Sequence, residues 1–156
     1  MSILFRIHPL PPAYLERVRA GTDDLGQPVE RHLAAGGEPL RDCLRRARPG
    51  EEILLASYCP FKVAGPYKEY GPVFVSAAGG EAPVLDALPL RGDAPYLGAG
   101  FVLRAYSADE RIVDARLSTP HAAMADLDAF LGRDEVAFVL VRFAAYGCYA
   151  LRMERA

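Results

Sequence analysis

Two arginines sit where apolar side chains would be expected. Arg142 lies in the run Val136-Ala137-Phe138-Val139-Leu140-Val141-Arg142-Phe143, and Arg104 is flanked by Leu103 and Ala105. A guanidinium taken out of water needs a carboxylate or an anionic ligand, and its planar fork can donate two parallel bonds to either. Glu69, Asp114 and Glu154 are available carboxylates. A sheet face open to water would carry the same two arginines with no ligand, so both readings stand. The segment 58–72 gathers Tyr58, Phe61, Tyr67 and Tyr70 with Lys68 and Glu69 among Gly and Pro residues. Such a stiff loop either walls a pocket for a planar or sugar ligand or packs on the core. With Tyr106 and the run Tyr146-Gly147-Cys148-Tyr149, these residues define a candidate ligand-binding set: Arg104, Arg142, Tyr67, Glu69, Tyr70, Tyr106, Tyr146 and Cys148.

Other reactive types are less informative. Cys148 would be a nucleophile if a neighbouring arginine lowered its pKa, but no histidine stands near it in sequence to act as its base. Cys43 falls on an apolar stripe, where burial explains it. Arg41, Arg45 and Arg48 recur at helical spacing, which fits either an anion clamp or a solvated helix face. His8, His32 and His121 are scattered without ligand spacing, so no metal site is expected, and no cofactor is implied. The chain lacks C-x-x-C, H-E-x-x-H, a phosphate-binding G-x-x-x-x-G-K-[ST] loop and G-x-S-x-G. Gly98-Ala99-Gly100 begins like a dinucleotide fingerprint, but Leu103 replaces its third glycine.

The elements that must position these groups follow from periodicity. Residues 2–8 read as a strand, and Pro11-Pro12-Ala13 opens a short helix through Ala20, with Tyr14, Leu15 and Val18 on its apolar side and Gly21 as its stop. Residues 21–38 read as a loop with a brief strand near Val29. The spacing of Leu40, Cys43, Leu44 and Ala47 predicts a second helix over Pro39 to Ala47. Strands are expected at Glu52 to Tyr58 and Val73 to Val75, then a long surface excursion over 77–100. A hairpin follows, Phe101 to Tyr106 with Ile112 to Leu117. Thr119, Pro120 and Gly132 bracket a last helix whose inner face is Met124, Leu127 and Leu131. Val136 to Phe143 and Gly147 to Arg155 close the chain as a hairpin. With 144–146 as its loop, Arg142 would face Cys148.

The chain has 156 residues, 51% of them hydrophobic, with a formal net charge of −2, enough apolar material for one core and no basic excess for nucleic acid. No apolar run is long enough to span a membrane, and three widely spaced cysteines form no disulfide framework, which together predict a cytoplasmic protein. The expected architecture is a single α+β domain over residues 1–156. It would have a mainly antiparallel sheet of about five to seven strands with two or three helices packed on it.

Several blocks carry a family likeness. Cys43-Leu44 with Pro49-Gly50-Glu51, then Pro60-Phe61, Gly65-Pro66-Tyr67 and Gly71-Pro72-Val73-Phe74-Val75, resemble a bacterial family known as domain of unknown function 1203. Leu103-Arg104-Ala105-Tyr106, Val141-Arg142, Tyr146-Gly147-Cys148-Tyr149 and Glu154-Arg155 are similar to its later blocks. The resemblance implies no activity, cofactor or catalytic residue. The residues themselves point to an anionic small molecule as partner, bound between the 58–72 loop and the last hairpin, with Arg104 and Arg142 supplying charge. An enzyme using the same pocket, with Glu69, Tyr67 or Cys148 as reacting groups, is the second possibility. A protein-interaction module using loop 77–100 is the third. The oligomeric state is not encoded in any of these features.

Overall fold

A computed structural model describes residues 3–156. In chain order it contains β1 (Phe5–His8), α1 (Pro12–Arg19), β2 (Glu30–Leu33), β3 (Pro39–Leu40), β4 (Arg45–Arg46), β5 (Glu52–Tyr58) and β6 (Gly71–Ser76). β7 (Phe101–Tyr106), β8 (Ile112–Ser118), α2 (Ala123–Leu131), β9 (Phe138–Phe143) and β10 (Tyr149–Arg155) follow. The strands make two five-stranded sheets, β1-β10-β9-β7-β8 and β2-β5-β6-β3-β4, rather than one sheet of five to seven. Every pairing is antiparallel except a single parallel contact, Leu40 opposite Phe74, between β3 and β6. The α+β character stands and the strand count is corrected: short strands in the first half of the chain form a second layer.

β9 sits at the centre of the first sheet and is buried along its whole length, which is why its sequence is an unbroken apolar run rather than an alternation. One face, with Phe101, Leu103, Val139, Val141, Leu151 and Met153, packs under α2 through Ala123, Leu127, Phe130 and Leu131. Phe130, the largest of these helical residues, fixes the rotation of α2 and leaves Met124 exposed rather than on the inner face. The other face, with Tyr106, Phe138, Leu140 and Tyr149, packs on Leu54, Ala56, Val73 and Val75 of the second sheet and on Tyr14 and Val18 of α1. Segment 77–100 has no helix or strand but is no free excursion. Ile7 N–H donates to Leu85 O at 2.7 Å, the Tyr96 hydroxyl donates to Ala150 O at 2.8 Å, and Tyr96 and Leu97 are fully buried.

The expected helix over 39–47 is instead the tight hairpin β3–β4. The apolar spacing is realised for one turn only: Leu44 N–H donates to Leu40 O at 2.9 Å, and Leu44 then takes a left-handed φ of 55°. Long-range polar contacts override helix propensity here. Asp42 accepts from Ser76 N–H at 3.0 Å and from Arg19 Nη2 at 2.9 Å. Arg45 donates to both oxygens of Glu51, each at 2.8 Å, and to Glu81. Arg41, Arg45 and Arg48 therefore form no row on a helix.

The Arg45 guanidinium, with the Arg48 amide, holds the Glu51 carboxyl down at about 2 from an ordinary 4.5. A carboxyl held below its unfolded value stabilises the fold above the unfolded pKa and loses that contribution as pH falls through the folded one. Stability should thus decline between about pH 4.5 and 2, by about 1 kcal/mol after solvent screening of this surface pair. Glu51→Gln should flatten that part of a urea-midpoint profile; an unchanged profile would remove Glu51 from the acid response.

Candidate functional site

Arg142 is 5% exposed, on the face of the first sheet that meets the second sheet. Its Nη2 is ion-paired with Glu69, and its Nη1 donates to Gly147 O at 3.1 Å. Its Nε is the one buried side-chain nitrogen or oxygen among the described residues that has no hydrogen-bond partner. Arg104, on the same face of β7, reaches the same Glu69 oxygen at 3.8 Å and remains a third exposed. Of the three carboxylates near enough in principle, Glu69 is thus the partner. Glu154 is taken by Arg152 at 2.9 Å and Asp114 by Arg133 at 2.8 Å.

A cleft of about 150 Å³ lies beside this cluster, lined by Tyr58, Glu69, Tyr70, Arg142, Tyr146 and Cys148 among others. Five of the eight candidate residues therefore meet at one place, and Arg104 joins them through Glu69. The other two do not. Tyr106 is buried, stacked on Phe138 with ring centroids 5.0 Å apart, because β7 turns it into the inter-sheet core. Tyr67 stands in the loop with the Arg111 guanidinium 5.6 Å from its ring centroid, and it does not line this cleft. The hairpin also differs from expectation: Arg142 pairs with Tyr149, not Cys148. Gly147, at φ 73°, donates its N–H to Phe143 O, which lengthens the turn and shifts the register before a bulge.

A larger groove of about 630 Å³ opens on the opposite side of Pro72, Tyr146 and Cys148, which line both spaces. Its walls come from the 35–39 loop, Leu55 and Phe74 of the second sheet, Leu97 to Gly100, and the β9–β10 turn. Arg41 lines it while being only 4% exposed. Arg41 Nε donates to Tyr149 O and Nη1 to Pro39 O, both at 2.8 Å. Its Nη2 has no hydrogen-bond partner among the described residues and is not sealed in the interior. Arg46 packs beside it through Nη1 to Gly37 O and Nη2 to Tyr96 O, both at 2.8 Å. Both guanidiniums lie over the Phe143 ring, at 5.1 Å and 5.3 Å from its centroid.

Neither Arg41 nor Arg46 has a carboxylate partner among the described residues. Burial lowers the Arg41 pKa below the usual guanidinium value, and the like charge of Arg46 acts in the same direction. Carbonyl dipoles and the face of the Phe143 ring are thus the compensation for a buried cation that no carboxylate neutralises, a condition that costs several kcal/mol per ion. Another space of about 640 Å³, between α1 and the 58–63 segment, offers a contrast. Its cations and carboxylates are equal in number: Arg17 pairs with Asp24, Arg152 and His8 meet Glu154, and Lys62 is offset by Glu110, which accepts from the Lys62 and Val63 amides.

The sequence offered Arg41 as an anion-binding group only in a helical row with Arg45 and Arg48, and it singled out neither Arg46 nor Phe143 for the groove. The helical reading of 39–47 turned both arginines outward, and Phe143 looked like one more core residue. Cys43, the other cysteine considered, has its thiol pushed up to about 12 by burial, which leaves it unreactive. No group of three or more His, Cys, Asp or Glu among the described residues is placed to hold a metal ion, and no helix there is long and apolar enough to cross a membrane.

Two five-stranded sheets, two helices and a groove carrying unpaired guanidinium charge define the class: an α+β protein with a cationic groove on the outer face of its second sheet, walled in part by the β9–β10 turn. Residues 37–155 match the family described as Protein of unknown function (DUF1203), and the chain belongs to that family. No curated protein and no solved structure matches it.

Proposed function

We propose that this protein binds a small organic anion in the larger groove, with Arg41 as its fixed cation and Arg46 beside it. The observation that carries the reading is a groove-lining guanidinium, 4% exposed, that meets two carbonyl oxygens and the Phe143 ring but no carboxylate, with its Nη2 left free of any hydrogen bond. A ligand carboxylate or phosphate would supply the missing counter-charge and stabilise the complex against the free protein. A volume of about 630 Å³ falls in the range of small-molecule sites. Tyr146 and Cys148, expected at the site, contribute to this groove's wall. Arg142, Glu69 and Arg104 form a charge-paired cluster next to it, with Tyr70 at the edge of the small cleft.

The test is an NMR titration of the isotope-labelled protein with millimolar acetate, benzoate, octanoate and inorganic phosphate in turn. At least one of these anions should shift the amide signals of Arg41, Phe143 and Cys148 in a saturable manner and leave those of Arg17 and Arg152 in place. Movement of the Arg17 and Arg152 signals alone, or no saturable shift with any of the four, would overturn the proposal.

A further inference from the structure

Resting on that reading, we infer that the ligand is a monocarboxylate with an apolar body, not a phosphate ester or a dianion. Charge is the first reason. The charged side chains lining the groove are Arg41, Arg46 and Glu38, two guanidiniums against one carboxylate. The net charge is plus one, and a single negative charge neutralises it. A phosphate monoester carrying nearly two would leave an uncompensated anion against apolar walls.

The donor inventory agrees. Arg41 has its Nε engaged by Tyr149 O, so the side-on fork of Nε and Nη2 is closed to a ligand. Its remaining donors, both N–H of Nη2 and the second of Nη1, form an end-on pair that matches two carboxylate oxygens. Arg46 spends three donors on the carbonyls of Gly37, Pro95 and Tyr96, which leaves one on each Nη. The Ala35 and Gly36 amides, the kind of donor a phosphate cradle uses, are bonded to Glu38 at 2.7 Å and 2.8 Å. The cluster of backbone N–H groups that phosphate sites use is thus taken up by the protein's own carboxylate.

The walls decide the body of the ligand. Leu55, Pro72, Phe74, Leu97 and Phe143 present carbon to the groove, and Glu38 has both carboxylate oxygens turned onto the loop amides. An alkyl or aryl chain behind the carboxylate would bury against this surface, at about 0.8 kcal/mol for each methylene removed from water. A compact anion such as acetate would satisfy Arg41 and leave most of the groove wet.

Calorimetric titration of the intact chain with acetate, octanoate, octyl phosphate, octanol and inorganic phosphate tests this. Octanoate should bind at least tenfold more tightly than acetate and at least tenfold more tightly than octyl phosphate, with inorganic phosphate failing to displace it. Octyl phosphate equal to or tighter than octanoate, or displacement by inorganic phosphate, would overturn the monocarboxylate assignment and leave the anion site standing. Acetate as tight as octanoate would overturn the apolar body alone. Octanol as tight as octanoate, or no binding by any of the anions, would remove the anion site itself.

Discussion

Glu69→Ala should lower unfolding stability by about 2 kcal/mol, and adding Arg142→Met to that variant should return most of the loss. Removing one partner of a buried ion pair costs about 3–5 kcal/mol because the other charge stays behind unpaired. Arg142 meets that condition, with 6% of its side chain exposed, whereas Glu69 is 45% exposed, so solvent screens part of the cost. Without Glu69, the Arg142 guanidinium would retain only Gly147 O, its Nε would stay orphaned, and Arg104 would face it with like charge. A methionine at 142 fills similar volume and carries no charge. The measurement is a urea midpoint at constant slope for the two single variants and the double. A cost below about 0.5 kcal/mol for Glu69→Ala, or a double variant no more stable than that single one, would show the pair to be ordinary surface electrostatics.

The Glu69–Arg142 pair marks how far sequence could reach into this site. Arg142 stood out because β9 is otherwise apolar, and it is apolar because the strand is covered on both faces. That signal is local, as are Pro12 at the start of α1 and Gly21 just past its end, so strand and helix were legible. The partner is 73 residues away, and nothing in the neighbourhood of Glu69, Asp114 or Glu154 selects among them.

The same distinction explains the misread segment at 39–47. Leu40, Cys43, Leu44 and Ala47 have helical spacing, but the groups that decide the conformation are Ser76, Glu51 and Glu81, bonded to Asp42 and Arg45. Periodicity reports which residues avoid water. It does not report which distant polar group will claim a side chain. Once Asp42 and Arg45 are held, the chain reverses at Leu44, and Arg41 swings inward to the carbonyls of Pro39 and Tyr149. The groove cation is a product of that reversal, which is why no local pattern announced it. Composition acts at a third level. Arginine outnumbers lysine sixteen to two, and Arg41 and Arg46 each spend several guanidinium donors on backbone carbonyls in a fixed planar geometry that an ammonium could not reproduce.

Arg41→Met should cut the stabilisation by octanoate to about half or less while changing the stability of the ligand-free protein by no more than about 1.5 kcal/mol. Two opposing contributions give that expectation. The substitution leaves Tyr149 O and Pro39 O without their donor, at about 1 kcal/mol each, and removes the guanidinium from the Phe143 ring, at about 1 kcal/mol more. Against this, it removes a buried cation that no carboxylate compensates, which is worth several kcal/mol in the other direction. Binding has no such offset. A hydrogen bond to a charged group is worth about 1.5–3 kcal/mol, so affinity should fall by about ten- to a hundredfold. At an octanoate concentration about 100 times the parent's Kd, the parent gains about 2.7 kcal/mol of stability, and the variant should gain only about 0.4–1.4 kcal/mol. Thermal melts with and without octanoate read both quantities from the same samples. If Arg41→Met fails to fold, Arg46→Met, which strips the second cation from the same ring, should still weaken binding and supplies the comparison. A folded Arg41→Met protein with an undiminished octanoate shift would place the anion elsewhere, because no other groove cation is as deeply buried or as poor in counter-charge.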